Sequence, residues 1–370
     1  MMMKASPIMG VAPSRALCRL DDIPDGGSKA FAPVADGFTG LFAVRRGEAP
    51  TPANTDISYP ALYVVNGTSN NLSVIELSSS TIKRTLSLNN APYPHHVYLS
   101  PDKKFIAVAI AAMDLSGGHS GHGMGGATKV MILDAVTGEI HHEISTMHLP
   151  HNAAFSPSGS ELWIPQADTV QGTVLVYNTS DYTLTNTINV GKAPSELTFS
   201  FDGSMVFVAN TMDGTVSMID PATKAIMATI PVGLDPVGAW PAPNGKMYAD
   251  NESDLTLSEI DVMNANVTAT INLGFMPGYV AFSSHHNELW VSDATNGKIV
   301  FFENIGGFWT AAGNLSTGTN AHAIIFNSDG TKAYVTNQGA NTVSLIDVVN
   351  HVKLLDIAVG NKPNGMVIKN

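Results

Sequence analysis

Short apolar runs rich in β-branched residues alternate along this chain with clusters of Gly, Asn, Asp, Ser and Pro, the pattern of strands separated by tight turns. The runs recur in a phrase of about 42 residues: a turn, a Pro, an apolar strand, a Ser-Pro-Asp-Gly-like turn, and a second strand. The phrase is clearest at Pro94-His95-His96-Val97-Tyr98-Leu99-Ser100-Pro101-Asp102. It returns at Pro150-His151-Asn152-Ala153-Ala154-Phe155-Ser156-Pro157 and at Pro194-Ser195-Glu196-Leu197-Thr198-Phe199-Ser200-Phe201-Asp202-Gly203. Weaker copies start at Pro236, Pro277, Ala321 and Pro363. Second strands are expected at 63–66, 105–108, 162–164, 206–210, 247–250, 289–292 and 333–337, with a third such as 215–220 and a fourth such as 228–230. Four strands per unit and seven units predict an all-β, seven-bladed β-propeller over 56–370. The strand near Tyr63 lacks an innermost partner before it, and 363–368 reads as an innermost strand without a successor. Pairing the two in one blade would close the ring and remove the open sheet edge.

Composition narrows the function. The chain is 44% hydrophobic and only 14% charged, enough for a large buried core. Its net charge of −12, with no basic stripe, argues against nucleic-acid binding. One cysteine, Cys18, excludes a disulfide framework within the chain, and no apolar run reaches membrane-spanning length. Residues 1–16 lack the long apolar core of a secretory signal.

The Tyr-Val-Thr-Asn run at 334–337, with variants at 63–66 and 208–210, resembles YVTN-type seven-bladed propeller repeats. The resemblance implies the fold over roughly 56–370 and a periplasmic or extracellular location, and leaves function open. Residues 17–47 do not fit the repeat. The runs 17–31 and 41–47 resemble the opening strands of a Rieske-type domain, but the paired Cys and His ligand motifs are absent, so no iron–sulfur cluster is implied. Residues 1–55 are therefore read as an N-terminal arm and linker.

The innermost strands of a propeller line its central channel, so equivalent positions form a ring. The first position after the Pro (or Ala321) reads His95, His151, Ser195, Val237, Gly278, His322 and Asn364. Three imidazoles converging at one channel mouth suit a transition metal and leave a coordination position for water or substrate. His95, His151 and His322 are thus the candidate metal ligands. The Gly-rich insertion 116–126 and the loop before His151 open on the same face, adding His119, His122, Met124 and His148 as candidate further ligands. Glu196 and His96, one residue on in their strands, are candidate proton-transfer groups. His285, His286 and His351 fall on the far face and His141 and His142 on an outer strand, where a surface role is expected. Ser195 has no base near it in sequence and is not read as a nucleophile.

The Pro-His-His start of an inner strand, with His95, His96, His151 and His322 at ring positions, is similar to the copper-bearing propellers of nitrous oxide reductase and thiocyanate dehydrogenase. That resemblance implies a copper-dependent oxidoreductase acting on a small molecule, with a redox partner protein. It departs in having fewer ring histidines and no cupredoxin domain, which points to a smaller copper site. Zinc, iron or nickel would suit the same imidazoles. Two other readings stay open: a non-catalytic propeller that serves as a protein- or surface-binding scaffold, and a propeller lyase or lactonase. The last ranks lower because such sites use several acidic ligands, and only Glu196 and Asp235 are placed at the mouth.

Overall fold

In a computed structural model that describes residues 28–30, 42–44, 56–115 and 127–370, strands form where the apolar runs predict them. Contacts divide the chain into Met1–Thr55 and Asp56–Asn370. In the first unit the described residues are one antiparallel pair, Ser28–Ala30 with Phe42–Val44. The Rieske-like reading of 17–47 and Cys18 otherwise lie outside the described residues.

The second unit is a seven-bladed β-propeller of four-stranded antiparallel sheets. Blade 1 is the closing blade: its innermost strand, Pro363–Lys369, pairs with Ala61–Asn66, Ala61 facing Lys369 and Leu62 facing Ile368. The innermost strands of blades 2 to 7 begin at Pro94, Ala154, Pro194, Pro236, Pro277 and Ala321. Second strands are buried nearly throughout, as in Ala61–Asn66 and Glu288–Asp293, because both faces of a middle strand meet neighbouring blades. Outer strands such as Leu184–Asn189 are mostly exposed. The core lies between blades: Trp163 of blade 3 packs in one cluster with Leu197, Val206 and Val208 of blade 4.

The Asn that ends the second strand explains the Tyr-Val-Thr-Asn signature. Asn66, Asn210, Asn251 and Asn337 donate through Nδ2 to Ser73, Ser217, Ser258 and Ser344 on the third strand, at 2.9, 2.9, 3.1 and 2.9 Å. Asn210 and Asn251 also accept from the backbone N–H of Gly191 and Gly233, at 3.0 and 3.1 Å, in the turns that carry the chain between blades. The approach is so close that a Cβ on Gly191 would stand 2.6 Å from Asn210 Cβ, so only glycine fits there. The turn then feeds the innermost strand through a left-handed residue at Tyr93, Ala193, Asp235, Asn320 and Lys362.

Candidate functional site

Strict alternation would send successive residues of an innermost strand to opposite faces. A register break at the start of the strand prevents this. The ladder slips between Pro94 and Val97, between Pro194 and Leu197, and between Ala321 and Ile324. Such bulges re-aim side chains, and here they let consecutive residues reach one site. In blade 3 the innermost ladder is only Ala154–Phe155, so His151 and Asn152 precede it.

His95, His96, His151, His322 and Glu196 are all buried, and Glu196 is 0% exposed. The His95 and His96 rings stack at 4.4 Å, His151 lies edge-on to His95 at 4.4 Å, and His322 is 6.1 Å from His96 between ring centres. Donor atoms of His95, His96 and His322 fall within 4.8 Å of one another, and so do those of His96, His151 and Glu196. His96 thus belongs to both groups, and His151 sits with the carboxylate rather than with His95 and His322.

Glu196 organises the cluster. Its Oε2 takes His151 Nδ1 at 2.7 Å and His96 Nδ1 at 3.1 Å. Its Oε1 accepts from Asn152 Nδ2 at 3.0 Å and from the Tyr98 hydroxyl. Asn152 is itself fixed, donating to the Leu197 carbonyl at 2.7 Å and accepting from its N–H at 3.1 Å. His95 Nδ1 donates to the His151 carbonyl at 3.2 Å. Carbonyls and carboxylates only accept, so Nδ1 is the donor where His95 meets the His151 carbonyl, and it is the Nδ1 edge of His96 that faces Glu196 Oε2. His96 Nε2 is buried with no hydrogen-bond partner. Desolvation and the neighbouring Glu196 hold the Tyr98 hydroxyl well above its ordinary value, so it stays a donor.

A cavity of about 170 Å³ opens beside the cluster, lined by His96, Tyr98, Tyr279 and an apolar floor that includes Ile324, Gly365 and Met366. Tyr279 packs against Trp240, their ring centres 3.8 Å apart and their planes tilted by 36°. Burial, then Glu196 and Asp250, raise the Tyr279 hydroxyl far above its ordinary value.

Other candidates fall elsewhere. His148 Nε2 pairs with Asp168 at 3.2 Å, outside both donor groups. His119, His122 and Met124 lie outside the described residues. Ser195 shares a hydrogen bond with Thr211 at 2.7 Å, and Asp235 accepts one from Ser253. On the far-face turns, His351 meets Glu288 at 3.0 Å and His286 the Val348 carbonyl at 3.0 Å, while His141 and His142 occupy the outer strand Ile140–Ser145. Reasoning from sequence missed Tyr98, Asn152, Trp240, Asp250 and Tyr279. The ring alignment that found His95 would have found Asn152 and Tyr279 one position further on.

A family model described as a YNCE-like beta-propeller matches residues 145–295. No curated protein matches the chain in sequence. Among solved structures, the chain is similar to the periplasmic gluconolactonase of Pseudomonas aeruginosa, with a TM-score of 0.67 and 18% identity over 84% of this chain and 99% of that one. A putative 6-phosphogluconolactonase from Bacteroides uniformis gives 0.66 and 15% over the same shares. The dihydro-heme d1 dehydrogenase NirN gives 0.60 and 15%, over 97% of this chain and 83% of that one. At such identities the likeness shows the propeller fold alone. Among the described residues, no helix is long and apolar enough to cross a membrane.

Proposed function

We propose that the channel holds a transition-metal ion, copper by preference, and that the protein is a metal-dependent oxidoreductase acting on a small molecule in the adjoining cavity. The observation that carries this reading is the pair of histidines whose Nδ1 atoms are committed to protein acceptors, with His96 Nε2 buried and unpartnered. Metal-binding histidines are characteristically tied down in this way through the other ring nitrogen. His95, His96 and His322 would be the ligands, which exchanges the sequence-based roles of His96 and His151. A bound copper would supply a Lewis acid and a one-electron couple. Glu196 fixes the orientation and tautomer of His96 and His151. His151, backed by that carboxylate, would serve as a proton acceptor. The cavity volume and its apolar floor favour a substrate of only a few heavy atoms.

The experiment is elemental analysis after loading with copper, zinc, iron or nickel, beside a His95/His96/His322→Ala variant. About one tightly held ion in the parent, lost in the variant, is expected; a parent that retains none overturns the metal reading. A second reading, a metal-independent lactone hydrolase, is favoured by the short His151–Glu196 contact, an oriented general base, and by the lactonases among the similar folds. Lactone hydrolysis by metal-free protein that is lost in His151→Ala would select it.

A further inference from the structure

The aromatic side of the cavity has no part in metal binding. Tyr279 lies on the innermost strand of blade 6, Pro277–Ser283, inside a register slip between Pro277 and Val280 like the one that gathers His95 and His96. Its ring packs on Trp240 and against clusters that hold Ala323 and Ile324 of blade 7. The ring centre lies 6.5 Å from that of His96 and 6.3 Å from that of His322. Tyr279 and Tyr98 both line the cavity, and both are only partly buried.

Packing asks only for a ring at this position, and phenylalanine would supply one. The hydroxyl needs another explanation, because a tyrosine hydroxyl set among apolar side chains usually finds a hydrogen-bond partner. Tyr63 spends its hydroxyl on the Ala135 carbonyl and Tyr98 spends its own on Glu196. The Tyr279 hydroxyl has no partner among the described residues, and it is not one of the fully enclosed unpaired atoms such as His96 Nε2. It is therefore open to the space that Tyr279 borders, the cavity. After burial, the charge of Glu196 acts on it most, which sets the hydroxyl toward the imidazole–carboxylate side of the channel.

We propose that Tyr279 is the substrate-binding donor of this site, its O–H donating a hydrogen bond to the carbonyl oxygen of a small neutral molecule whose short apolar body rests on Ala323, Ile324 and Met366. A tyrosine keeps its proton at pH 7 even at its ordinary value of about 10, so the donor is present without any perturbation. The Tyr98 proton is already taken by Glu196, so the cavity offers one hydroxyl donor and the ligand needs one acceptor. The Glu196 carboxylate opposes a second negative charge nearby, which favours a carbonyl compound over a carboxylate of the same shape. The inference rests on the cavity being the place of the substrate in the proposed function, but not on the metal, so metal-free protein is tested.

Tyrosine labelled with carbon-13 at the ζ position reports hydroxyl hydrogen bonding residue by residue in NMR spectra. The resonance missing from Tyr279→Phe identifies Tyr279. Acetone is then titrated in, with acetate as the charged probe of the same shape. The expected result is a saturable shift of the Tyr279 resonance with acetone, a weaker response to acetate, and acetone affinity about threefold to tenfold lower in the Phe variant. An unmoved Tyr279 resonance, equal acetone affinity in parent and variant, or an equal response to acetate would overturn the proposal. A parent that holds no metal yet shows the acetone response removes the metal reading and leaves this one standing. The Phe variant gives up no hydrogen bond to the described residues, so its fold is retained and can be checked by circular dichroism.

Discussion

Replacing Glu196 with Gln tests whether the carboxylate sets the histidine tautomers. The carboxylate accepts from Tyr98, Asn152 and His151 and lies 3.1 Å from His96 Nδ1, which makes four neighbours in all. An amide has one oxygen and one NH2 group, so it cannot serve all four as they stand. Asn152 cannot turn over, because both ends of its amide are held by the Leu197 backbone. The Gln oxygen must therefore face Asn152 and its NH2 the two imidazoles. The imidazoles adapt by moving the proton from Nδ1 to Nε2, which keeps every bond paired and limits the loss of metal-free stability to about 1 kcal/mol. That shift puts a proton on His96 Nε2, the atom assigned to the metal. Disturbing a partner of this kind typically weakens metal binding about 10–100-fold, or about 1.4–2.7 kcal/mol. The assay is copper titration against a competing chelator, with urea unfolding of the metal-free protein alongside. Copper affinity within about threefold of the parent, at unchanged stability, would refute the reasoning.

A Cβ on Gly278 would lie 3.3 Å from His322 Nδ1 and 3.1 Å from Ser292 Oγ, so Gly278→Ala should displace His322 and weaken metal binding several-fold by calorimetry while the fold is kept. At Gly365 the added carbon would stand 2.8 Å from His96 Cα and 3.1 Å from Val97 N, backbone that cannot step aside, and Gly365→Ala should cost about 1–3 kcal/mol in urea unfolding. Asn210→Ala removes bonds to Ser217, Thr215 and Gly191 at 2.9, 3.0 and 3.0 Å, with an expected loss of about 2–3 kcal/mol. The raised Asp250 group binds its proton more tightly folded than unfolded, so its contribution is greatest below the unfolded value of about 3.9 and falls as pH rises toward the folded value. The parent should lose stability relative to Asp250→Asn by up to about 1.4 kcal/mol per pH unit across that window, and a pH-independent difference would contradict the raised value.

The fold was legible because the blades reuse one physical solution: a buried second strand, in four blades an Asn clamp at its end, and a turn into an innermost strand that is Pro-led in most blades. The site was legible only in part. Alignment on the Pro identified His95, His151 and His322 as one ring, and His96 and Glu196, one residue on in their strands, were read as proton-transfer groups. The slip between Pro94 and Val97 brings His95 and His96 to the same site, and a bulge of this kind leaves no composition signature in Pro-His-His-Val. Asp250 was hidden for a different reason. It lies on the second strand, which reads as uninterrupted core, and its carboxyl approaches the channel wall only through Gly238 and Trp240.

A propeller of identical blades would place seven copies of one side chain around the channel, and a seven-fold ring is a poor holder for one ion or one small molecule. This chain breaks that symmetry at the position after the ring, which reads His96, Asn152, Glu196, Gly238, Tyr279, Ala323 and Gly365 from blade 2 round to blade 1. Hydrogen-bonding groups fill blades 2 to 4. Glycine on blade 5 makes room for Trp240, since a Cβ there would meet the indole at 2.6 Å. Alanine and glycine on blades 7 and 1 line the cavity. The channel is thereby divided into an imidazole–carboxylate wall, an aromatic wall backed by Asp250, and an apolar floor. Because the repeat gives the seven blades the same four-stranded plan, a few side-chain sizes at one level are enough to turn a symmetric channel into an asymmetric site.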